Sequence, residues 1–286
     1  MILPTFEYTR ARSVEHALDL LRGGDGRNGS LGEGHTDIGR DSTRLLAGGQ
    51  SLLPMMKLRL AAPEALIDIG DLRELRYIRR EGDTIAIGAG MRYCDLLTSD
   101  VIRQSVPLIA RATAHIGDAQ VRYRGTIGGS LAHADPAADL PVAALALDAN
   151  IVIHGGNGER VVAAADFFVD YFSTAIGDDE MLTEVRIKTT GSEKCSFERF
   201  SQRSNEWSIV AVAVAGTRIA LAGMGPTPLR AEAAQYVLES GGDFAAAAEL
   251  AAHGTNPIGD GHAEPDYRRH LARVLTRRAL ERAHHQ

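Results

Sequence analysis

The sequence predicts an α+β protein built in two parts. Short strand and helix patterns alternate over residues 1–176, whereas four strand patterns and then three helical runs follow residue 180. A sheet followed by a cluster of helices is typical of an α+β unit. The apolar fraction of 44% over 286 residues supports a substantial buried core. We therefore predict two domains, at residues 1–176 and 177–286.

The N-terminal part opens with an extended segment and a capped helix. Ser13 precedes apolar residues at helical spacing that end at Leu21, so the pattern predicts a helix with Ser13 as its N-cap. Seven glycines among polar residues at 23–42 predict a mobile surface insertion. The later elements predicted here are strands at 43–47 and 65–69, helices at 52–60, 93–97, 108–115 and 138–149, and hairpins of 76–80 with 84–88 and of 151–154 with 160–163.

The C-terminal part is predicted to form a sheet and then a helical cluster. Its strand patterns lie at 181–188, 195–200, 208–215 and 217–223, and Gly216 marks a tight turn between the last two. Helical patterns follow at 229–239, 244–253 and 267–282. The arginines of the last helix are expected to form a solvent-exposed face.

Composition and charge exclude several classes of protein. A net charge of −6 and a pI near 5.9 argue against nucleic acid as a partner, because nucleic-acid binders usually carry a basic face. No apolar run reaches the length of a transmembrane segment and no secretory signal opens the sequence, which predicts a cytoplasmic protein. Cys94 and Cys195 lie outside any C-x-x-C spacing, which favours reduced structural thiols over iron–sulfur ligation.

Two glycine-centred segments are the candidate ligand site. Ala47–Ser51 reads Ala-Gly-Gly-Gln-Ser, and Thr126–Ser130 reads Thr-Ile-Gly-Gly-Ser before an acidic, proline-punctuated exit. Glycine pairs allow positive φ and bring backbone N–H groups close to an anion, although each pair alone is also an ordinary tight turn. Two such segments in one chain suggest the two sides of one pyrophosphate.

Other chemistries lack their motifs. The sequence has no H-E-x-x-H metal pattern, no G-x-S-x-G nucleophile elbow and no G-x-x-x-x-G-K-[ST] loop. No G-x-G-x-x-G run stands between a predicted strand and a predicted helix, as a Rossmann fingerprint requires, which favours flavin adenine dinucleotide in another fold over nicotinamide in a Rossmann site. Asp135 and Asp139 either bind a ribityl or ribose hydroxyl or serve the turns around Pro136 and Pro141.

Nearly the whole sequence resembles the FAD-binding medium subunits of molybdenum hydroxylases, and among them the aerobic carbon monoxide dehydrogenase type. The most specific segments are 45–60, 66–69, 124–141 and 226–231. The resemblance implies a two-lobed FAD domain of the vanillyl-alcohol-oxidase type, with lobes at about 1–56 and 57–176. A C-terminal domain of antiparallel sheet plus helices would follow it.

The resemblance also implies which residues bind FAD. The two glycine segments match the family's pyrophosphate loops, Asp139 matches a polar contact, and Leu182 matches an apolar neighbour of the flavin. Trp207 stands where the family has an aromatic residue against the flavin ring, and Arg199 stands where relatives often have Lys. The implied cofactor-binding residues are Ala47, Gly48, Gly49, Gln50, Ser51, Thr126, Ile127, Gly128, Gly129, Ser130, Asp139, Leu182, Arg199 and Trp207.

The function implied by the resemblance is electron transfer inside a larger enzyme. A large subunit with a molybdenum–pterin cofactor would oxidise substrate, and a small subunit with two [2Fe–2S] clusters would pass electrons to FAD in this chain. The acceptor would be a quinone or another oxidant, and the assembly a dimer of heterotrimers associated with the inner face of the membrane through partners. The alternatives are an aldehyde or N-heterocycle dehydrogenase subunit, a stand-alone flavin oxidase, and a non-catalytic assembly subunit. No catalytic acid, base, nucleophile or metal ligand is expected in this chain.

Overall fold

The first lobe is a three-stranded parallel sheet with helices in its connections. The computed structural model describes residues 2–23, 43–190 and 194–285, so the insertion predicted at 23–42 lies outside it except for Gly23. The elements of the lobe are strand β1 (Glu7–Arg10), helix α1 (Val14–Leu21), strand β2 (Thr43–Leu46), helix α2 (Leu52–Lys57) and strand β3 (Ala65–Asp68). Strand β3 lies between β1 and β2 and runs parallel to both. The Ser13 hydroxyl accepts the His16 N–H at 3.0 Å, which confirms the predicted N-cap of α1.

The second lobe is a five-stranded antiparallel sheet that shares its core with a group of helices. Its strands are β4 (Ile78–Glu81), β5 (Thr84–Gly88), β6 (Asn150–Gly155), β7 (Gly158–Ala163) and β10 (Met181–Lys188), in the spatial order β4–β5–β10–β6–β7. The helices between β5 and β6 are α3 (Tyr93–Thr98), α4 (Asp100–Ser105), α5 (Pro107–Ala114), α6 (Ala119–Arg124), α7 (Ile127–His133) and α8 (Asp139–Ala146). Short elements α9 (Ala164–Phe167), β8 (Phe168–Asp170) and β9 (Ser173–Thr174) connect β7 to β10.

Strands pair across both predicted boundaries, the lobe boundary at 56/57 and the domain boundary at 176/177. Strand β10 pairs with β5 on one side and β6 on the other, so the boundary at 176/177 would remove the middle strand of the second-lobe sheet. The lobe boundary at 56/57 would likewise separate β3 from β1 and β2. In each sheet the middle strand comes last in the sequence, so a boundary placed before that strand separates it from its neighbours. We therefore propose to end the first lobe after β3 and the first domain after β10.

The C-terminal domain is a four-stranded antiparallel sheet covered by helices. Its strands β11 (Cys195–Phe200), β12 (Val210–Ala215), β13 (Arg218–Ala222) and β14 (Leu229–Arg230) pair in sequence order. Helices α10 (Glu232–Glu239), α11 (Phe244–Glu249) and α12 (Pro265–His284) follow. The predicted α+β class is confirmed, but the helix predicted at 229–239 begins with strand β14.

Strand β12 has two buried faces that belong to two different cores. Its alanines, Ala211, Ala213 and Ala215, face the core that holds α8 and the second-lobe sheet, whereas Val210, Val212 and Val214 face the core under α12. This split follows the two-residue period of a strand. Every residue of α8 is buried, as expected for a helix that is apolar all round. The two domains therefore share one continuous core at α8.

None of the helices in the described part of the chain is long and apolar enough to span a bilayer.

Candidate functional site

The first glycine segment, Ala47–Ser51, is a turn between strand β2 and helix α2. Gly49 has φ +73°, which glycine adopts without the strain that a Cβ would bring. The backbone N–H groups of this segment donate to no oxygen within the described ranges 2–23, 43–190 and 194–285. Consecutive free N–H groups around a left-handed glycine form a concave anion site. This segment therefore has free N–H groups arranged as an anion site requires, and its role as a pyrophosphate loop stays a prediction.

The second glycine segment is helical, which corrects the turn predicted around Gly128 and Gly129. Thr126 is the N-cap of α7, and its hydroxyl accepts the Gly129 N–H at 3.1 Å. The N–H of Ile127 donates to the Met91 carbonyl at 3.0 Å, and that of Gly128 donates to the Ala89 carbonyl at 2.9 Å. All three of these N–H groups thus donate to protein oxygens. Unlike the first glycine segment, this one does not present consecutive free N–H groups to a ligand.

Gly128 and Gly129 have different structural reasons to be glycine. A Cβ on Gly128 would lie 2.6 Å from the Ala89 Cβ, so glycine allows α7 to pack against the chain after β5. A Cβ on Gly129 would meet only the Thr126 hydroxyl, at 2.9 Å, within 4 Å. Gly128 thus serves protein packing, whereas the backbone of Gly129 borders open space that a ligand can enter.

The two glycine segments adjoin each other in the structure. A Cβ on Gly48 would lie 2.8 Å from the Gly125 Cα, one residue before Thr126. A Cβ on Gly125 would in turn lie 2.9 Å from Cδ2 of the buried Tyr93 ring. Two glycines without side chains therefore let the turn, the start of α7 and Tyr93 stack closely. The sequence predicted that the segments cooperate, and the structure brings them together.

Leu182 lies in the strand beneath α7. The neighbouring Thr183 carbonyl accepts the Ala89 N–H at 2.9 Å, and Ala89 is the residue against which Gly128 packs. The β10–β6 register shifts between Leu182 and Glu184, which marks a bulge at this point. Leu182 is only 6% exposed, so it belongs to the apolar floor near the second glycine segment.

Tyr93 links the second glycine segment to Asp139. Burial raises the pKa of Tyr93 to about 12, the charge of Asp139 raises it further, and a side-chain hydrogen bond with Ser130 opposes the shift. Tyr93 is therefore a neutral phenol at physiological pH. Ser130 and Asp139 thus act in opposite directions on the phenol of Tyr93.

Asp139 and Arg199 are paired with each other across the two domains. Arg199 Nη1 donates to Asp139 Oδ2 at 2.8 Å, and both side chains are 6% exposed. Burial raises the pKa of Asp139 to about 6, although the charge of Arg199 and hydrogen bonds from Arg199 and Ser208 lower it. The resemblance implies that each of these residues lies near the flavin but does not pair them. The structure shows that they pair with each other.

Trp207 lies on the segment that joins β11 to β12, and its side chain is exposed. The residue is 56% exposed. The backbone of its segment is held at both ends, because the Ile209 N–H donates to the Phe200 carbonyl at 2.7 Å. Arg199 Nη2 also donates to the carbonyls of Ser204 and Glu206, each at 2.8 Å. Trp207 is therefore connected to the start of α8 through Arg199 and Asp139.

Three residues that hold the elements of the site together are not among the predicted cofactor-binding residues. Tyr93, Gly125 and Ser208 are buried or closely packed contacts between elements far apart in the chain. Gly125 stands next to the predicted segment and could have been included as a glycine before an N-cap. Nothing in the local sequence marks Tyr93 or Ser208.

The described residues offer no metal site. Within ranges 2–23, 43–190 and 194–285, no group of three or more His, Cys, Asp or Glu side chains could hold a metal ion. Cys94 and Cys195 are both free thiols.

Two adjoining glycine segments in an α+β fold, one of them with free backbone N–H groups, have the features of a protein that binds an anionic ligand such as a dinucleotide. Comparison with known families agrees. Residues 4–189 match the FAD binding domain in molybdopterin dehydrogenase, and residues 196–283 match the CO dehydrogenase flavoprotein C-terminal domain. The chain therefore belongs to the family of FAD-binding proteins of molybdopterin dehydrogenases, which confirms the resemblance that the sequence analysis identifies. The gap between the two matches falls between β10 and β11.

Individual relatives cover nearly the whole chain. The carbon monoxide dehydrogenase medium chain of Hydrogenophaga pseudoflava is 38% identical over 99% of this chain and 98% of its own. The 6-hydroxypseudooxynicotine dehydrogenase complex subunit alpha of Paenarthrobacter nicotinovorans is 37% identical over 99% of this chain and 96% of its own. A solved carbon monoxide dehydrogenase structure from Hydrogenophaga pseudoflava superposes with a TM-score of 0.88 at 38% identity, covering 99% of this chain and 98% of that chain.

Proposed function

We propose that this chain binds FAD non-covalently and serves as the electron-transfer flavoprotein subunit of a molybdenum hydroxylase complex. The observation that carries the proposal is the meeting of the two glycine segments. Ala47–Ser51 leaves its N–H groups to a ligand, and Gly129 borders open space beyond the Gly48–Gly125 contact. These features fit a pyrophosphate, and the family match over 4–189 supports FAD as the dinucleotide.

The residues of the chain bind and orient the cofactor, while bound FAD supplies the capacity to take up and release electrons. In this proposal Ala47–Ser51 donates backbone hydrogen bonds to the pyrophosphate, and Thr126–Ser130 forms the surface on its other side. Leu182 supplies an apolar floor, and Trp207 supplies an aromatic surface for the flavin ring. Asp139 and Arg199 contribute polar groups near the ring.

A carbon monoxide dehydrogenase complex is the first candidate for the whole enzyme, because relatives with that name match almost the full chain. The second candidate is an aldehyde or N-heterocycle dehydrogenase. It is favoured by a glyceraldehyde dehydrogenase medium chain at 35% identity and a nicotine 6-hydroxylase medium subunit at 32%. In either case the substrate would be selected by a large subunit with a molybdenum–pterin cofactor.

The partners proposed for the chain are that large subunit and a small subunit with two [2Fe–2S] clusters. The proposed assembly is a dimer of heterotrimers in the cytoplasm, associated with the inner face of the membrane through its partners, with a quinone as electron acceptor. Purification of the native complex, followed by cofactor analysis and reduction of a quinone analogue, tests the two partners and the acceptor, and the mass of the complex in solution tests the dimer of heterotrimers.

Replacement of Gly129 by Val tests the site in this chain. The new side chain would extend into the space beside α7, so FAD affinity should fall by at least about 100-fold. A Cβ there would lie 2.9 Å from the Thr126 hydroxyl, so this N-cap contact must shift, and we expect the fold to be kept with a loss of stability of about 1 kcal/mol, as for the loss of a cap. The measurements are flavin absorbance after purification, titration of the chain with FAD, and thermal unfolding.

The control is Gly261→Val, because a Cβ at Gly261 meets no atom within 4 Å and the residue lies far along the chain from both glycine segments. This variant should keep both the fold and the affinity for FAD. A wild-type chain that retains no FAD after addition of excess cofactor would contradict the proposal. Unchanged FAD affinity in Gly129→Val would contradict the placement of the pyrophosphate.

A further inference from the structure

Arg199 uses its guanidinium group to hold three oxygens closely, and its Nη2 also lies 3.5 Å from the Ser201 hydroxyl. Nη1 donates to Asp139 Oδ2, and Nη2 donates to the carbonyls of Ser204 and Glu206, all at 2.8 Å. The two carbonyls belong to the β11–β12 segment at residues 201–207, which we call the tryptophan loop because it ends at Trp207. The guanidinium group therefore sets the shape of this loop and ties it to α8 of the other domain.

Ser208 supplies a second attachment at the end of the tryptophan loop. Its hydroxyl donates to the Ala137 carbonyl at 2.8 Å and lies 3.5 Å from Asp139 Oδ1. Ala137 and Asp139 flank the start of α8, so Trp207 lies between two residues attached to the same place in the first domain. The position of its exposed side chain follows from the backbone on either side of it.

The chemistry of the pair suits a positioning role better than direct contact with the cofactor. A planar guanidinium group can donate in several directions at fixed angles, whereas an ammonium group is a compact point charge. The Arg199 side chain is 6% exposed and three of its hydrogen bonds go to the protein. Both Nη atoms are thus already engaged with protein oxygens.

We propose that Arg199 and Asp139 are positioning residues that fix the tryptophan loop to the first domain and thereby set the place of Trp207 against the flavin. The placement of Trp207 against the flavin, which we call the flavin half of the proposal, rests on the function proposed above. The attachment of the tryptophan loop to the first domain by Arg199 and Asp139, which we call the loop half, concerns this chain alone and does not depend on bound cofactor.

The single tryptophan of the chain makes both halves measurable. Trp207 emission, its quenching by acrylamide and its time-resolved anisotropy report the motion and accessibility of the loop in the full chain without FAD. Quenching of the same emission by added FAD reports proximity to the flavin ring. The Trp207→Phe variant supplies the background signal.

Arg199→Gln should release the loop. The variant loses the ion pair and both carbonyl contacts, so we expect about a twofold rise in the acrylamide quenching constant and faster local anisotropy decay. Arg199→Lys keeps the charge beside Asp139 but not the planar fork, so its values should lie between those of Arg199→Gln and wild type. The double variant Asp139→Asn with Arg199→Gln avoids an unpaired buried charge and should behave like Arg199→Gln.

The matched control is Arg218→Gln at the other end of α8. Arg218 also joins the two domains, because its Nε donates to the Ala146 carbonyl at 2.8 Å, but it contacts no residue of the tryptophan loop. This variant should leave Trp207 quenching and anisotropy unchanged.

Different results overturn different halves of the proposal. Wild-type values of quenching and anisotropy in folded Arg199→Gln and in the double variant would overturn the positioning role. Bound FAD that fails to quench Trp207 in the wild-type chain would overturn the placement of Trp207 against the flavin. Absence of FAD binding by the wild-type chain would overturn the proposed function and the flavin half, while the cofactor-free measurements would still decide the loop half.

Discussion

Asp139 is a buried carboxylate whose charge is met by a single guanidinium group. Its pKa of about 6 in the folded protein lies above its value in an unfolded chain, so the folded state binds more protons between these two values. The stability that this group contributes is therefore fully present at low pH and is lost as the pH rises through about 6. At neutral pH the charged carboxylate remains in place because Arg199 is beside it.

The sign of this effect gives a prediction for Asp139→Asn. As the pH falls from 7 to 5, the free energy of unfolding of the wild-type chain should rise relative to that of the variant by about 1 kcal/mol. Urea denaturation of both proteins at pH 7, 6 and 5 measures the difference. A difference that stays constant, or that falls with the pH, would show that the pKa of Asp139 is not raised.

At the scale of residues, the sequence predicted that the two glycine segments act together, but it did not predict the conformation of each segment or its contacts. Gly49 has the positive φ expected of a glycine turn, whereas Gly128 and Gly129 are helical. The sequence could not reveal this difference, because a Gly-Gly pair is compatible with a turn and with a close helix contact. The Asp139–Arg199 pair was also hidden, since these residues lie 60 positions apart. The direct role of the predicted residues in binding FAD stays a prediction.

Helix α7 is the element on which the second glycine segment depends. Its N-cap, Thr126, fixes where the helix begins and therefore where the Gly129 backbone lies. Thr126→Ala should cost about 1 kcal/mol of stability. It should also weaken FAD binding, because the first turn of the helix loses its fixed start. Thermal unfolding and FAD titration of the variant measure the two effects.

Ser99→Ala is the matched control, because Ser99 caps α4 with its hydroxyl accepting the Ile102 N–H at 3.3 Å. It should lower stability to a similar extent and leave FAD affinity unchanged. Equal losses of FAD affinity in the two cap variants would mean that α7 has no special role in binding.

At the scale of elements, long runs of strand pattern were predicted most accurately. Strands β10 and β11 have the predicted bounds, because their β-branched and aromatic residues leave few alternatives. Helices α4 and α6 were missed, since their sequences, Asp-Val-Ile-Arg-Gln-Ser and Ala-Gln-Val-Arg-Tyr-Arg, are mostly polar and show no apolar face at helical spacing. The start of the helix predicted at 229–239 became β14, because Leu229 and Arg230 pair with β13. Tertiary pairing overrode local preference there.

At the scale of the whole molecule, the continuous core at α8 predicts cooperative unfolding. Each residue of α8 is buried, and apolar side chains of β11, β12 and β13 belong to the same core as the second-lobe sheet. The two domains should therefore unfold in a single transition. Far-UV circular dichroism reports both domains, whereas Trp207 emission reports the C-terminal one. Coincident curves are expected, and two separated midpoints would show that the domains are energetically independent.

The position of β10 has a consequence during synthesis. Strands β5 and β6 are its neighbours in the sheet, yet β5 ends at Gly88 and β10 ends only at Lys188. The β5 edge that β10 will occupy therefore stays unpaired until about a hundred further residues have left the ribosome, which at 5–20 residues per second takes roughly 5–20 s, and the edge of β6, which ends at Gly155, stays open for about the last third of that time. Open edges are templates for pairing with other chains. Production of this subunit should thus benefit from slow expression and from chaperones that shield nascent chains.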